Sequence, residues 1–243
     1  AELVLPRSGK HADDWFAAIA NMQGLQRLTV QRMTITPKFV ACMAATRLNE
    51  LTLKRCALAD EAYAALAKSK MRITRLKLHK TQLSAELCGE LVKLPLRTLD
   101  LHFSPLTGQG VSRLAQCASL QALSFKLNVV SSNLASLAAS DVSRANLRAL
   151  TLMNATPVAL NAEGFASLAR LSSLRSLSFL SCNASALWSS VCEWWLTLDQ
   201  LETLELVSCL FVDGTLLRGA ALLPSLTALT ASDCDLADSA LGE

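Results

Sequence analysis

The chain has 243 residues, 51 % of them hydrophobic and 18 % charged, with a formal net charge of +3. That is enough apolar material for one or two ordinary domains or one repeat array. No apolar run reaches the roughly 18 to 20 residues that span a bilayer, and the longest apolar-leaning piece, ALWSSVCEWWLTL, carries Glu193, so a membrane-spanning helix is excluded.

Taken in order, the chain repeats itself. The first residues, AELVLPRSGK, lack the positive start and apolar stretch of a signal peptide, and no initiator Met is present. A processed or excised part of something longer is expected. LVL at 3–5 reads as the tail of a strand, and HADDWFAAIANM as a helix after it, so residues 1–24 form a partial repeat. A full strand motif, LQRLTVQRMTI, starts at Leu25, and LNELTLKRCAL follows from Leu48. Then DEAYAALAKSKM, helix-like, leads to ITRLKLHKTQL from Ile73. SAELCGELVKL leads to LRTLDLHFSPL from Leu96, and GQGVSRLAQC to LQALSFKLNVV from Leu120. SSNLASLAASDV precedes LRALTLMNATP from Leu147, and NAEGFASLARL precedes LRSLSFLSCNA from Leu174. ALWSSVCEWWLTL then gives way to LETLELVSCLF from Leu201, and DGTLLRGAALLP to LTALTASDCDL from Leu226.

The nine starts are separated by 23, 25, 23, 24, 27, 27, 27 and 25 residues, a period that marks a repeat architecture. In NAEGFASLARL, Phe165, Leu168 and Leu171 recur at helical spacing and predict one buried side. Asp60, Ser84, Asn161 and Asp213 stand where helix N-caps are expected. Each unit is thus a short strand, a turn and a helix, and only a stack of units buries its apolar faces. The pattern LxxLxLxx(C/N)xL at this period resembles the leucine-rich repeat proteins, nearest to their cysteine-containing and ribonuclease-inhibitor-like classes. The resemblance covers essentially the whole chain. It implies an α/β fold: a curved solenoid over residues 1–243 with a parallel concave sheet and helices on the convex side. It leaves function open.

Counting each unit from its first apolar residue, position 9 is Met33, Cys56, Thr81, Ser104, Asn128, Ala155, Cys182, Cys209 and Cys234. In leucine-rich repeats this position turns the chain off the strand, and its small polar side chain hydrogen-bonds buried backbone. Four of the eight cysteines therefore have a structural role. The others, Cys42, Cys88, Cys117 and Cys192, fall in helical pieces with an inward orientation expected. No CxxC-type spacing points to a metal, and parallel neighbouring strands restrict disulfide geometry. Unlinked thiols suit a reducing compartment, so an intracellular, cytoplasmic protein is expected. The sequons at Asn154 and Asn183 argue the other way.

Side chains alternate along a strand. With positions 4 and 6 inward, positions 3, 5 and 7 face the concave surface and position 8 its rim. From Leu25 to Lys80 the chain carries 12 Lys or Arg against three acids, and from Leu198 to Glu243 one Arg against eight. The concave face should therefore be basic at one end, through Arg27, Arg32, Lys54, Arg55, Arg75, Lys77, Lys80 and Lys126, with His79, His102 and Phe103 among them. Met153, Leu180 and Val207 fall on one position-7 row and predict an exposed apolar strip. A basic face can serve solubility alone, but an apolar centre beside charged flanks is how protein-binding surfaces are built. Trp194 or Trp195 offers a second, convex contact if the Trp-rich helix exposes either.

His79 and His102 sit at equal positions of adjacent repeats, with Lys54 and Lys126 as expected row neighbours and Asp100 the nearby carboxylate. A third metal ligand is missing from that pattern. Nearby lysines are expected to press the histidines' pKa down. No nucleophile–base pair and no glycine-rich phosphate loop points to an enzyme or a cofactor. Nucleic acid would suit the basic zone, but Phe103 is the sole aromatic at the concave positions and the acidic end repels phosphate. The expectation is a non-catalytic scaffold binding an acidic, partly apolar segment of another protein. Recognition of substrates for a ubiquitin ligase is a variant of it, although no F-box-like segment is present. A neighbour covering an open end of the stack is also expected.

Overall fold

The computed structural model describes residues 1–5, 12–58, 60–69, 71–81, 83–126, 132–153, 162–182, 197–210 and 214–234. Ten strands form one parallel sheet. They are β1 (Glu2–Leu5), β2 (Arg27–Gln31), β4 (Glu50–Lys54), β6 (Arg75–His79), β7 (Thr98–Pro105), β8 (Ala122–Lys126), β9 (Ala149–Met153), β10 (Ser176–Leu180), β11 (Thr203–Val207) and β12 (Ala228–Ser232). Two short strands, β3 (Thr34–Ile35) and β5 (Ala57–Leu58), pair beside it. Sheet order follows chain order throughout, so each repeat touches only its neighbours.

The strand positions are in register. Leu28 stands beside Leu51 and Leu51 beside Leu76, and the same position continues through Leu204 and Leu229. Leu28, Leu51, Leu76 and Leu204, with Val30, Leu53, Leu78 and Phe179, are buried, while Leu229 on the last strand is 42 % exposed. Nine described helices cover that face: α1 (Ala12–Ala20), α2 (Pro37–Ala44), α3 (Asp60–Lys68), α4 (Ala85–Leu91), α5 (Gly108–Leu114), α6 (Ser132–Ala139), α7 (Asp141–Asn146), α8 (Ala162–Ala169) and α9 (Gly214–Ala221). Helices need about 8 to 10 Å of lateral room and strands about 4.8 Å. The stack therefore curves with the sheet on the inside. Phe165, Leu168 and Leu171 are buried, as their spacing predicts.

Ser84 caps α4, its hydroxyl accepting from the Leu87 amide at 3.2 Å. Asp60 is the first residue of α3, while Asn161 and Asp213 lie outside the described residues. Helix α2 contains Cys42, as expected of a helical piece, but apolar spacing alone does not delimit it. Thr36 caps it and Pro37 opens it, a start signal that is legible in TPK. The Trp-rich piece, both sequons, Asn128, Ala155 and Cys192 also fall outside the described residues.

Among the described residues, seven strands carry a reversal at or near their end that a non-glycine residue makes in the left-handed region. Arg32, Arg55, Lys80, Phe103, Ser181, Ser208 and Asp233 have φ between 52° and 56°. All seven occupy position 8, so the chain turns one residue before the place expected. The conformation extends the ladder by one bond: the Arg32 amide donates to Lys54 O at 2.9 Å, Arg55 to His79 O at 2.7 Å, and Ser208 to Ser232 O at 2.9 Å. It costs an ordinary L-residue about 1–2 kcal/mol. At one end of the stack Leu3, Leu5, Trp15, Ile19 and Met22 line an open depression of about 260 Å³.

Candidate binding face

The turn at position 8 brings the described position-9 side chains under the strands. Cys209 Sγ donates to Phe179 O of the preceding repeat at 3.3 Å and to its own Val207 O at 3.5 Å. Cys182 does the same to Leu152 O and Leu180 O, and Cys234 to Leu206 O and Ser232 O. Cys56 reaches Val30 O and Lys54 O at 3.6 Å. In the repeat of β7 the hydroxyl of Ser104 takes the same role, donating to Leu78 O at 2.8 Å. One slot, on the carbonyl of position 6 one repeat back, recurs along the stack. The protein is a leucine-rich repeat solenoid. Among the described residues no cysteine is in a disulfide, and Cys88 and Cys117 are buried while Cys42 is half-buried, as an inward orientation predicts. Cys182, which can hydrogen-bond a Cys209 thiolate, pulls that thiol down to about 7 against the opposing effect of burial.

On the concave side of the solenoid the rows largely match the repeat numbering. Position 3 aligns Arg27, Glu50, Arg75 and Thr98, and position 5 aligns Thr29, Thr52, Lys77 and Asp100. Position 7 aligns Gln31, Lys54 and His79. That row breaks at β7. Between Leu101 and Pro105 the register shifts, and Lys126 stands opposite Pro105 rather than His102. A bulge inserts extra residues into one strand and re-aims its side chains, so Lys126 is not the row neighbour of His102.

Charge is less one-sided than the sequence count implies. Glu50 Oε1 takes the Lys77 ammonium at 2.8 Å, Arg75 lies 4.0 Å from the other oxygen, and Arg27 pairs with Glu2 at 3.3 Å. These pairs are exposed or half-exposed and contribute little stability, but they neutralise positions 3 and 5. Among the described residues Arg32, Lys54, Arg55, Lys80 and Lys126 make no ion pair.

The rings of His79 and His102 lie 5.3 Å apart, and His102 meets Phe103 edge to face at 4.1 Å. Lys80 Nζ stands 5.4 Å from the centre of the Phe103 ring, and Phe103 is 45 % exposed. His79 Nε2 is 3.8 Å from Asp100 Oδ2, too far for a hydrogen bond, and His79 Nε2 and Asp100 Oδ1 are both buried without a partner. Burial lowers the His79 pKa; Asp100 opposes that, and His102, Lys54 and Lys77 add to it. The direction matches expectation, but desolvation leads and the lysines are secondary. Among the described residues no group of three His, Cys, Asp or Glu is placed to hold a metal ion.

The apolar strip is smaller than its row suggests. Met153 is only 3 % exposed, yet it is not part of the core between sheet and helices. It stands between Lys126 and Leu180 in the strand register, where long side chains on both flanks can shield a flexible thioether. Leu180 and Val207 stay half-buried. Thr52 and Ser178 are also buried on this side, and Ser178 donates to Glu205 at 2.9 Å. What opens instead is a depression of about 320 Å³ that runs from Lys77, Asp100 and His102 across Ala122, Ala149 and Thr151 to Leu180.

No family model matches the chain, and no curated protein matches it. Among solved structures it is similar to Toll in the Toll–Spatzle complex of Drosophila, with 11 % identity and a TM-score of 0.48, over 97 % of this chain and 43 % of that one. It is similar to TLR13 in a complex with ssRNA13 at 17 % identity and a TM-score of 0.46, over 90 % and 38 %. An internalin, InlF, of Listeria monocytogenes is 15 % identical with a TM-score of 0.36, over 90 % and 78 %. The chain spans less than half the length of the Toll and TLR13 chains. At these values the likeness carries no binding role across. Among the described residues no helix is long and apolar enough to cross a membrane.

Proposed function

We propose that this solenoid is a non-catalytic scaffold that takes an acidic, partly apolar segment of another protein on its concave face. The observation that carries the reading is the set Arg32, Lys54, Arg55 and Lys80, cations on successive repeats without an acid partner among the described residues. The depression ending at Leu180 supplies the apolar part. Such a face steers an acidic partner and selects its register. Nucleic acid would meet the same cations, but sequence-tolerant strand binding uses a series of stacked aromatics, and among the described residues this face offers only Phe103 beside the two imidazoles. Service as the recognition subunit of a ubiquitin ligase is one form of the same reading. The absence of a disulfide among the described cysteines favours a reducing, intracellular setting.

The test is a pull-down with Lys54→Glu, Arg55→Glu and Lys80→Glu combined, beside a salt titration of generic RNA. Loss of partners on charge reversal supports the reading. An unchanged partner set overturns it, as does RNA binding that persists at physiological salt.

A further inference from the structure

The position-8 ladder combines three properties. Its first four residues, Arg32, Arg55, Lys80 and Phe103, are exposed. All four hold φ between 52° and 56°, a conformation that suits glycine, asparagine and aspartate and disfavours long or aromatic side chains. At the other end of the stack the same turn is made by Ser181, Ser208 and Asp233, short side chains better fitted to it. Among the described residues the strained, bulky choices thus fall at one end, where three of the four are cations that lack partners.

We propose that this ladder docks an acidic α-helix of the partner protein, laid across the strands with about one carboxylate per turn. The inference rests on the acidic-segment reading above and adds the shape of the segment. Spacing decides it. Neighbouring strands stand about 4.8 Å apart, so the ladder spans about 14 Å over its three intervals. An α-helix rises about 5.4 Å per turn, and three turns cover about 16 Å, a drift the flexible Arg and Lys stems absorb. An extended peptide repeats its same-face side chains every 6.6 Å or so and covers about 20 Å in three steps. Its charges would fall out of phase by more than a whole repeat. Phe103 ends the ladder with an apolar ring already bracketed by Lys80 and His102. The partner helix should therefore place an apolar residue one turn beyond its last acid. Like charges at i,i+4 weaken a free helix, so the segment gains helicity on docking.

The experiment uses the whole chain and two synthetic peptides at low ionic strength. One is an alanine-based helix, stapled on its far face, with Glu every third or fourth residue and one terminal Leu. The other has two central alanines replaced by proline, so that it cannot form the helix. The variant Arg32→Gly, Arg55→Gly, Lys80→Gly removes the cations and relieves the turns. It should melt no lower than the parent and bind the helical peptide at least about ten-fold more weakly. The parent should prefer the helical peptide over the proline form by about the same factor. Equal affinity for both peptides, lost in the glycine variant, overturns the helix while the acidic-segment reading stands. Binding of neither peptide, or binding untouched by the glycine variant, overturns both. A glycine variant that melts below the parent overturns the argument from strain.

Discussion

His79 is the described histidine with the most consequential surroundings. From its own strand it faces Lys77, from β4 Lys54, and from β7 Asp100 and His102. Its pKa lies below the ordinary 6.5, so over the window between those values the unfolded chain binds more protons than the folded one. Stability then falls as pH drops through that window and is unaffected above it. Denaturation midpoints measured from about pH 8 to pH 5 should show that fall, and His79→Gln should flatten it; a slope unchanged by the substitution would assign the effect elsewhere. Cys209 makes a second, independent case. Its thiol serves two carbonyls, so Cys209→Ala should lose about 1–3 kcal/mol in urea unfolding. Cys209→Ser should lose less, because Ser104 fills the equivalent slot with a 2.8 Å bond.

At the scale of elements, α4 and α5 meet at a glycine. A Cβ on Gly110 would lie 3.1 Å from Cys88 Sγ and 3.4 Å from Leu106 Cδ2. Gly110→Ala gains about 1 kcal/mol of helix propensity and risks about 1–3 kcal/mol of overpacking. Cys88→Ala empties the space the new methyl needs. The double variant should therefore be more stable than the sum of the singles by about 1 kcal/mol, read from a double-mutant cycle; additive losses would mean that the sulfur is not what the methyl meets. Elements were the most legible level of the sequence. The strands were, because apolar residues recur at positions 4 and 6 of every unit and point inward in all but the last described strand. The bounds of helix α2 were less so, because apolar spacing alone passes over the Thr36–Pro37 start. The β7 bulge and the covering of Met153 depend on how neighbouring strands pair, which a pattern within one strand does not encode. The basic face was overcounted for the same reason: Glu50 lies two strand positions from its partner Lys77, on a different strand, and their pairing exists only after the sheet forms.

The whole molecule behaves as a line of coupled units. Sheet order follows chain order without a crossing, and helices α1 to α5 contact successive partners. In such an array stability is a sum of repeat and interface terms, so damage should spread by adjacency. Leu53 and Leu204 are both essentially unexposed, and truncating either to Ala removes about 2–5 kcal/mol of packing. Their effects should differ in place. Leu53→Ala should speed amide exchange most in β2, β4 and β6, fading toward β10 and β11, and Leu204→Ala should do the reverse. A globular domain with one cooperative core would lose protection evenly along the chain in both variants, and that result would reject the one-dimensional account. The same adjacency bears on the binding face. Lys54, Arg55, Lys80 and Phe103 sit on three consecutive repeats, so Leu53→Ala should weaken binding of an acidic helical peptide at temperatures where Leu204→Ala leaves it intact.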